Sequence, residues 1–301
     1  MHWQRIKHLF SLHSKHPLMS SHASNPLPIQ ISEHIFRVFF STRNNENKSS
    51  VSFFDLDMET LSVIDISEEP IATFMPNTFY DHGISIGGIY QKNNGKIFMT
   101  FMGWTMDHIR DHWMGYLGEM LLEDHQILTI QTNPLISPND HFDPISISYA
   151  DIIFFEDVYY AFYGSTMTWD AGNQEMIHTI QLATSKDGYS WEKKGLAIPY
   201  EKNKIQAFSR PTIIRIDQEW HMWFSYRSGN GDKYKIGHAK TNDLYVWHLA
   251  LEEASLVPNP SIAWESDMVE YPYVFKYKED IYMLYNGNSY GKTGIGICKL
   301  D

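Results

Sequence analysis

The sequence is short of the features that would tie it to several large protein classes. One cysteine, Cys298 in the run GIGICKL, cannot form an intrachain disulfide, so a disulfide-stapled scaffold is excluded. A lone apolar thiol of this kind is expected in a buried strand. Basic residues are scarce: 24 Lys and Arg against 36 Asp and Glu give a formal charge of -12. That balance argues against a nucleic-acid partner or an anionic-membrane surface. No segment approaches the ~18 uninterrupted apolar residues that mark a membrane-crossing helix. The first residues, MHWQRIKHLFSLHSKHP, lack the apolar stretch of a signal peptide. The expectation is a soluble, cytoplasmic protein without membrane insertion. HExxH, CxxC, GxGxxG, Walker A and GxSxG patterns are also missing, so no metal, cofactor, nucleotide fold or serine-hydrolase elbow is predicted.

What is present is a chain rich in strand-forming aromatics that repeats itself. Hydrophobic residues make up 43% and aromatics 15% of 301 residues, enough for a sizeable core. Five segments share one pattern: HASNPLPIQISEHIFRVFFSTR, HGISIGGIYQKNNGKIFMTFMGW, SISYADIIFFEDVYYAFYGST, AFSRPTIIRIDQEWHMWFSYR and MVEYPYVFKYKEDIYMLYNGN. Each reads as a β-hairpin with a polar turn between Val, Ile, Phe, Tyr and Trp runs. Further short strands follow, giving about four per repeat. Two of them share the spacing of Ala183, Asp187 and Trp191 against Ala239, Asp243 and Trp247, read as structural: the Asp opens a turn and the Trp packs between units.

Aligning the hairpins places Ser24, Ser85, Ser148, Ser209 and Glu270 in one column, with steps of 61, 63, 61 and 61 residues. A second column holds Arg43, Trp104, Thr166, Arg227 and Asn288, with steps of 61, 62, 61 and 61. Equal repeats of four strands predict an all-β fold, a five-bladed β-propeller of four-stranded antiparallel blades around a central cavity. It would form a single domain over 1–301 with repeats starting near 22, 82, 146, 207 and 268, and residues 1 to 12 could supply a strand that completes the last blade. Two β-sandwiches are the competing architecture, but they give no reason for equal steps.

In a propeller both columns face one cavity, and the repeats act as a control. Four units place a small hydroxyl where the fifth places Glu270, so folding alone does not call for the carboxylate. A buried charge costs several kcal/mol unless it is paired or faces a polar cavity. The bland reading is a Glu that pairs with an Arg; the functional reading is a catalytic acid. Arg210 also breaks the pattern, standing where other units carry Asn25, Tyr149 and Tyr271. Together with Arg43 and Arg227 it points to an anionic ligand group, unless these arginines pair with Asp267 or Glu270. Trp104, Trp169 and Tyr290 are candidate sugar-stacking rings, and His22 and His82 precede first strands closely enough to reach the cavity.

The stretches FRVFFSTRNNENKS, ATSKDGYSWEKKG, SRPTIIRIDQEWHMWFSYR and WESDMVEYPYVFKYKEDIYMLYNGNSYGKTGIGI carry a resemblance over nearly the whole chain. The sequence resembles the five-bladed propeller glycosidase superfamily of arabinanases, β-xylosidases, invertases and β-mannoside phosphorylases. Within it, the chain is most similar to bacterial glycosidase-like proteins associated with surface-glycan synthesis. The resemblance implies that Glu270, two residues before Pro272 on a first strand, is the general acid. The same enzymes place an Asp before a proline in the first blade as base; here Asn25-Pro26 carries an amide that cannot take a proton. A glycoside hydrolase usually needs a second carboxylate, and the candidates are Asp81 and Asp267, with Asp151 third.

The sequence therefore predicts a carbohydrate-active enzyme acting on a small-molecule or oligosaccharide substrate. Glu270 protonates the leaving oxygen, Asp81 or Asp267 serves as base, and Arg43, Arg210, Arg227, Asn25, His22, His82, Trp104, Asp151 and Asn288 contact the substrate. Glycosyl transfer or phosphorolysis is the alternative within enzymes, and a non-catalytic glycan-binding propeller is the alternative outside them.

Overall fold

The fold is built from aromatic and β-branched runs broken by polar turns. In FFEDVYY, Glu156 and Asp157 both take left-handed φ, 49° and 60°, the conformation that matches a two-residue hairpin turn to strand twist. The computed structural model describes residues 1–107, 109, 111–139 and 141–301.

β1 (Trp3–Phe10) opens the chain. β2 (Ser21–Gln30), β3 (Ile35–Arg43), β4 (Ser49–Asp57) and β5 (Ser62–Ile66) form an antiparallel meander. β6 (Gly83–Gln91), β7 (Ile97–Asp107), β8 (His112–Glu123) and β9 (Gln126–Ile130) form the next. β10 (Ser146–Phe155), β11 (Val158–Thr168), β12 (Ile177–Ser185) and β13 (Glu192–Leu196) follow. After them come β14 (Ala207–Ile216), β15 (Glu219–Arg227), β16 (Lys235–Thr241) and β17 (His248–Leu249). The last group is β18 (Glu270–Tyr277), β19 (Asp280–Asn286) and β20 (Ile295–Leu300), whose outer neighbour is β1. The N-terminal strand thus completes the last group. Trp3 anchors it: its indole N–H donates to the Ala254 carbonyl at 2.7 Å, beside that of Trp223 at 2.9 Å.

The first strands pack in cyclic order, β2 on β6, β6 on β10, β10 on β14, β14 on β18, and β18 back on β2. Hydrogen bonding closes no sheet on itself among the described residues. Core clusters fill the wedges between adjacent meanders: Phe36, Phe40 and Phe54 pack with Phe275, Tyr277 and Leu284, and Phe162 and Ile180 with Phe208 and Trp247. Cys298 is fully buried in β20. Asp187 and Asp243 make equivalent turns: Asp187 accepts from the amides of Tyr189 and Ser190 at 2.8 and 2.7 Å, and Asp243 from those of Tyr245 and Val246 at 2.9 and 2.8 Å. No described helix is long and apolar enough to cross a membrane.

Each first strand carries a register shift just after the serine/glutamate column: Ser24/Leu27, Ile86/Ile89, Ser148/Ala150, Ser209/Thr212 and Glu270/Tyr273. A bulge bends its strand and re-aims the side chain that follows. Asn25, Arg210 and Tyr271 sit in these bulges at φ of 57°, 46° and 52°, a conformation that costs a non-glycine residue of order 1–3 kcal/mol. In β6 the bulge holds Gly87, where a Cβ would lie 2.7 Å from the Ala150 carbonyl oxygen. The bulges thus set what reaches the middle of the ring.

Candidate functional site

At one end of the ring the two columns meet around a cavity of about 500 Å³. From the first column, Ser85, Ser148 and Ser209 line it; from the second, Arg43, Trp104 and Arg227 do. Ser24 lies outside the wall, its hydroxyl donating to the Tyr290 carbonyl. Aromatic rings form much of the lining: Trp104, Trp113, Trp169, Tyr149, Tyr271 and Tyr290. His112 stacks on Trp169 with ring centroids 3.5 Å apart, and Trp113 meets the same indole edge-on at 4.7 Å. The Trp169 indole N–H has no protein acceptor among the described residues.

Glu270 is 0% exposed, and neither carboxyl oxygen has a hydrogen-bond partner among the described residues. It stands immediately before Tyr271, a residue of the cavity wall, with Arg43 and Arg227 close enough to act on it. Burial pushes its pKa well above the usual carboxylate range; Arg43, Arg227 and the Tyr290 amide pull the other way without overcoming it. Burial thus favours the protonated form of this carboxyl. The simple ion-pair explanation for this carboxylate is therefore not what the geometry shows.

The three arginines part company. Arg227 is tied to Glu175 by two contacts, Nε to Oε2 at 2.7 Å and Nη2 to Oε1 at 3.0 Å, and its Nη1 donates to the Tyr290 hydroxyl at 3.2 Å. Arg210 does not line the cavity. Its guanidinium is sealed beneath, donating to the carbonyls of Tyr271 at 2.9 Å, Pro26 at 2.8 Å, Gly87 at 3.1 Å and Asn25 at 3.2 Å. The bulge at its left-handed φ turns it toward the axis, so it serves the fold. Arg43 lines the cavity, and its guanidinium makes no hydrogen bond or ion pair with any described residue.

The carboxylate that sequence reasoning misses is Glu175, the only acid lining this cavity among the described residues. It sits in the β11–β12 loop, outside the repeat alignment. Asp81 and Asp267 do not line the cavity. Asp81 pairs with His82, Oδ1 to Nδ1 at 2.7 Å. Burial works to raise its pKa, but bonds from His82 and Thr105 outweigh that and hold it below the usual range, which makes it a weak base. Asp267 is exposed, its backbone amide donating to Asn288 Oδ1 at 2.8 Å, so Asn288 is a turn anchor rather than part of the wall. Asp151 is buried under the ring and accepts from the Ile213 amide at 2.7 Å; burial raises its pKa to about 6. Asn25 is also buried outside the wall, its amide nitrogen without an acceptor among the described residues. His22 and His82 lie outside the wall as well, and His22 shares a 2.8 Å hydrogen bond with Ser21.

His178, which reads in the sequence as an ordinary strand position, lines the cavity. Its Nε2 lies 2.7 Å from the Ser148 hydroxyl and its Nδ1 2.8 Å from that of Thr166. Burial, then the field of Arg227, lowers its pKa from 6.5 to about 3. The folded state therefore keeps this imidazole neutral where the unfolded chain protonates it. Its stabilising contribution is full above pH 6.5 and declines as pH falls toward about 3. Urea unfolding between pH 6.5 and 4.5 should show His178→Gln removing about 1.4 kcal/mol per pH unit of the wild-type slope; an unchanged slope would contradict a buried neutral ring.

With the geometry in view, the class of protein follows from comparison. The structure matches that of a BT0996–RGII complex at a TM-score of 0.78 and 12% identity, covering 99% of this protein and 91% of that one. It matches a structure from work on the GH130 family of mannoside phosphorylases and hydrolases of β-1,2 mannosidic linkages at a TM-score of 0.72 and 13% identity, covering 99% and 93%. Likeness at these identities gives the fold: an all-β chain with the propeller fold of glycosidases. No protein-family model matches. The chain is 32% identical over 307 residues, covering 100% of both, to the uncharacterized protein Rv1502 of Mycobacterium tuberculosis, and it belongs to the same family.

Proposed function

We propose that residues 1–301 form one five-bladed propeller domain and that the protein is a carbohydrate-active, glycosidase-like enzyme in which Glu270 is the general acid. One observation carries this reading. In the column where the other four first strands place serine, a buried carboxyl without a hydrogen-bond partner among the described residues stands just behind the cavity wall, next to Tyr271, and burial raises its pKa. A carboxyl kept neutral by burial can give its proton to a leaving oxygen at neutral pH. The Trp104, Trp113 and Trp169 wall suits the apolar face of a sugar, and the free Trp169 N–H suits a hydroxyl. The substrate reading is an oligosaccharide or smaller glycoside.

Glu175 takes the place of Asp81 and Asp267 as the second carboxylate. In hydrolysis it would activate water, but Arg227 already holds both its oxygens. This favours a second reading, glycosyl transfer or phosphorolysis, in which an anionic acceptor needs no base. Aryl glycosides assayed with and without inorganic phosphate separate the two: a sugar phosphate product marks phosphorolysis, free sugar marks hydrolysis. Glu175→Gln provides a further check. A base role predicts a fall in turnover of about 10²–10⁴-fold that azide restores by replacing water. A purely Arg-holding role predicts a changed KM with no rescue.

A further inference from the structure

Building on the sugar-site reading, the strongest unexplained feature is a cation with nothing to hold. Arg210 spends its donors on carbonyls and Arg227 is neutralised by Glu175. Arg43 is half-buried in the cavity wall, and its guanidinium makes no hydrogen bond or ion pair with any described residue. Glu270 does not fill that role, because its two oxygens accept no bond from it. Lys292 lies outside the wall; it and Arg43 both act on the His22 ring. A chain of net charge -12 has acids to spare, yet pairs none with this guanidinium among the described residues; Glu270 lies near enough to feel its charge but makes no bond with it. A half-buried guanidinium presents a planar fork of donors matched to carboxylate and phosphate oxygens.

We propose that Arg43 is the binding site for an oxyanion of the substrate, a phosphate or carboxylate carried on the sugar or a phosphate bound beside it. The rest of the cavity fits this division of labour. The aromatic wall holds the ring, Glu270 lies behind that wall next to Tyr271, and Arg43 fixes the charged end. The Arg227–Glu175 pair is already neutral and discriminates little between charged and uncharged ligands.

The test uses the full chain and inorganic phosphate as probe, followed by calorimetry and thermal shift, with glucose 6-phosphate, glucuronate and neutral glucose in parallel. Phosphate is expected to bind saturably and raise the melting temperature. Arg43→Gln should weaken it at least tenfold, Arg43→Lys should retain part of the binding, and both variants should keep the wild-type circular dichroism spectrum. Glucose 6-phosphate binding tighter than phosphate assigns the anion to a sugar phosphate. Glucuronate binding tightest assigns it to a carboxylate, and phosphate matching glucose 6-phosphate assigns it to free phosphate. Absence of saturable phosphate binding by the wild type, or equal affinity in a folded Arg43→Gln, overturns the proposal. Glu270→Gln keeps the two readings apart: it should still bind phosphate. If it keeps full turnover, the acid assignment fails while the anion site stands.

Discussion

Glu270→Gln is expected to lower turnover by about 10²–10⁴-fold, the usual worth of a general acid, with no loss of folding stability. Glutamine copies the shape of the carboxyl and is neutral, the form that burial favours for Glu270. Packing and local charge therefore stay as they are, and only the transferable proton disappears. That loss has a signature which a structural role lacks. Aryl glycosides with strongly acidic leaving groups need little protonation, so kcat/KM for them should fall much less than for poor leaving groups. The pH profile gives a second signature. Wild-type activity should decline as pH rises through the raised pKa of Glu270, and that limb should vanish in the variant. Linkage runs the same way. A carboxyl with a folded pKa above 4.5 makes the folded state bind more protons than the unfolded chain, so stability is lost as pH rises across that window. The variant should then equal or exceed the wild type in Tm on the alkaline side. Turnover unaffected by the change, or lowered equally for all leaving groups, removes Glu270 from the acid role.

What the sequence could and could not disclose follows from where each residue sits in the repeat. The strands and both columns are legible because fivefold repetition turns single positions into aligned ones, and Glu270 stands out against four serines. The fates of Arg43 and Arg210 are not legible. Both are arginines near a column, but a backbone bulge at φ 46° sends Arg210 to the axis while Arg43 ends a regular strand at the cavity. Side-chain alternation, the only guide in a strand pattern, fails at a bulge. Asp81 and Asp267 read as candidates because they precede first strands, yet a histidine partner and solvent exposure claim them. Glu175 escaped for the opposite reason. It belongs to a connecting loop outside the two aligned columns, and its one signal is chemical: a cavity-facing arginine, Arg227, calls for a nearby carboxylate.

Arg210→Met should be the most damaging single change to the fold, at about 3–5 kcal/mol, the range for breaking a buried charged network. The guanidinium is 1% exposed, and burial lowers its pKa only to about 10, so it stays charged at neutral pH. It comes from β14 and reaches carbonyls in the bulges of β18, β2 and β6. It also favours the ionised form of Asp151 in β10, whose pKa burial has raised to about 6. One side chain thus links the first strands of all five groups. Methionine fills the volume but leaves those buried carbonyls without a donor, a cost that falls on each group separately. It also leaves Asp151 buried without its countercharge, so Asp151 should become protonated. Adding Asp151→Asn to Arg210→Met should therefore recover part of the loss, since it removes the ionisable partner and leaves only the unpaired carbonyls. Urea midpoints for both single variants and the double variant provide the cycle. A cost below about 1 kcal/mol for Arg210→Met, within the range of ordinary substitutions, would show that the ring holds together by packing alone and that this arginine was free for the ligand after all.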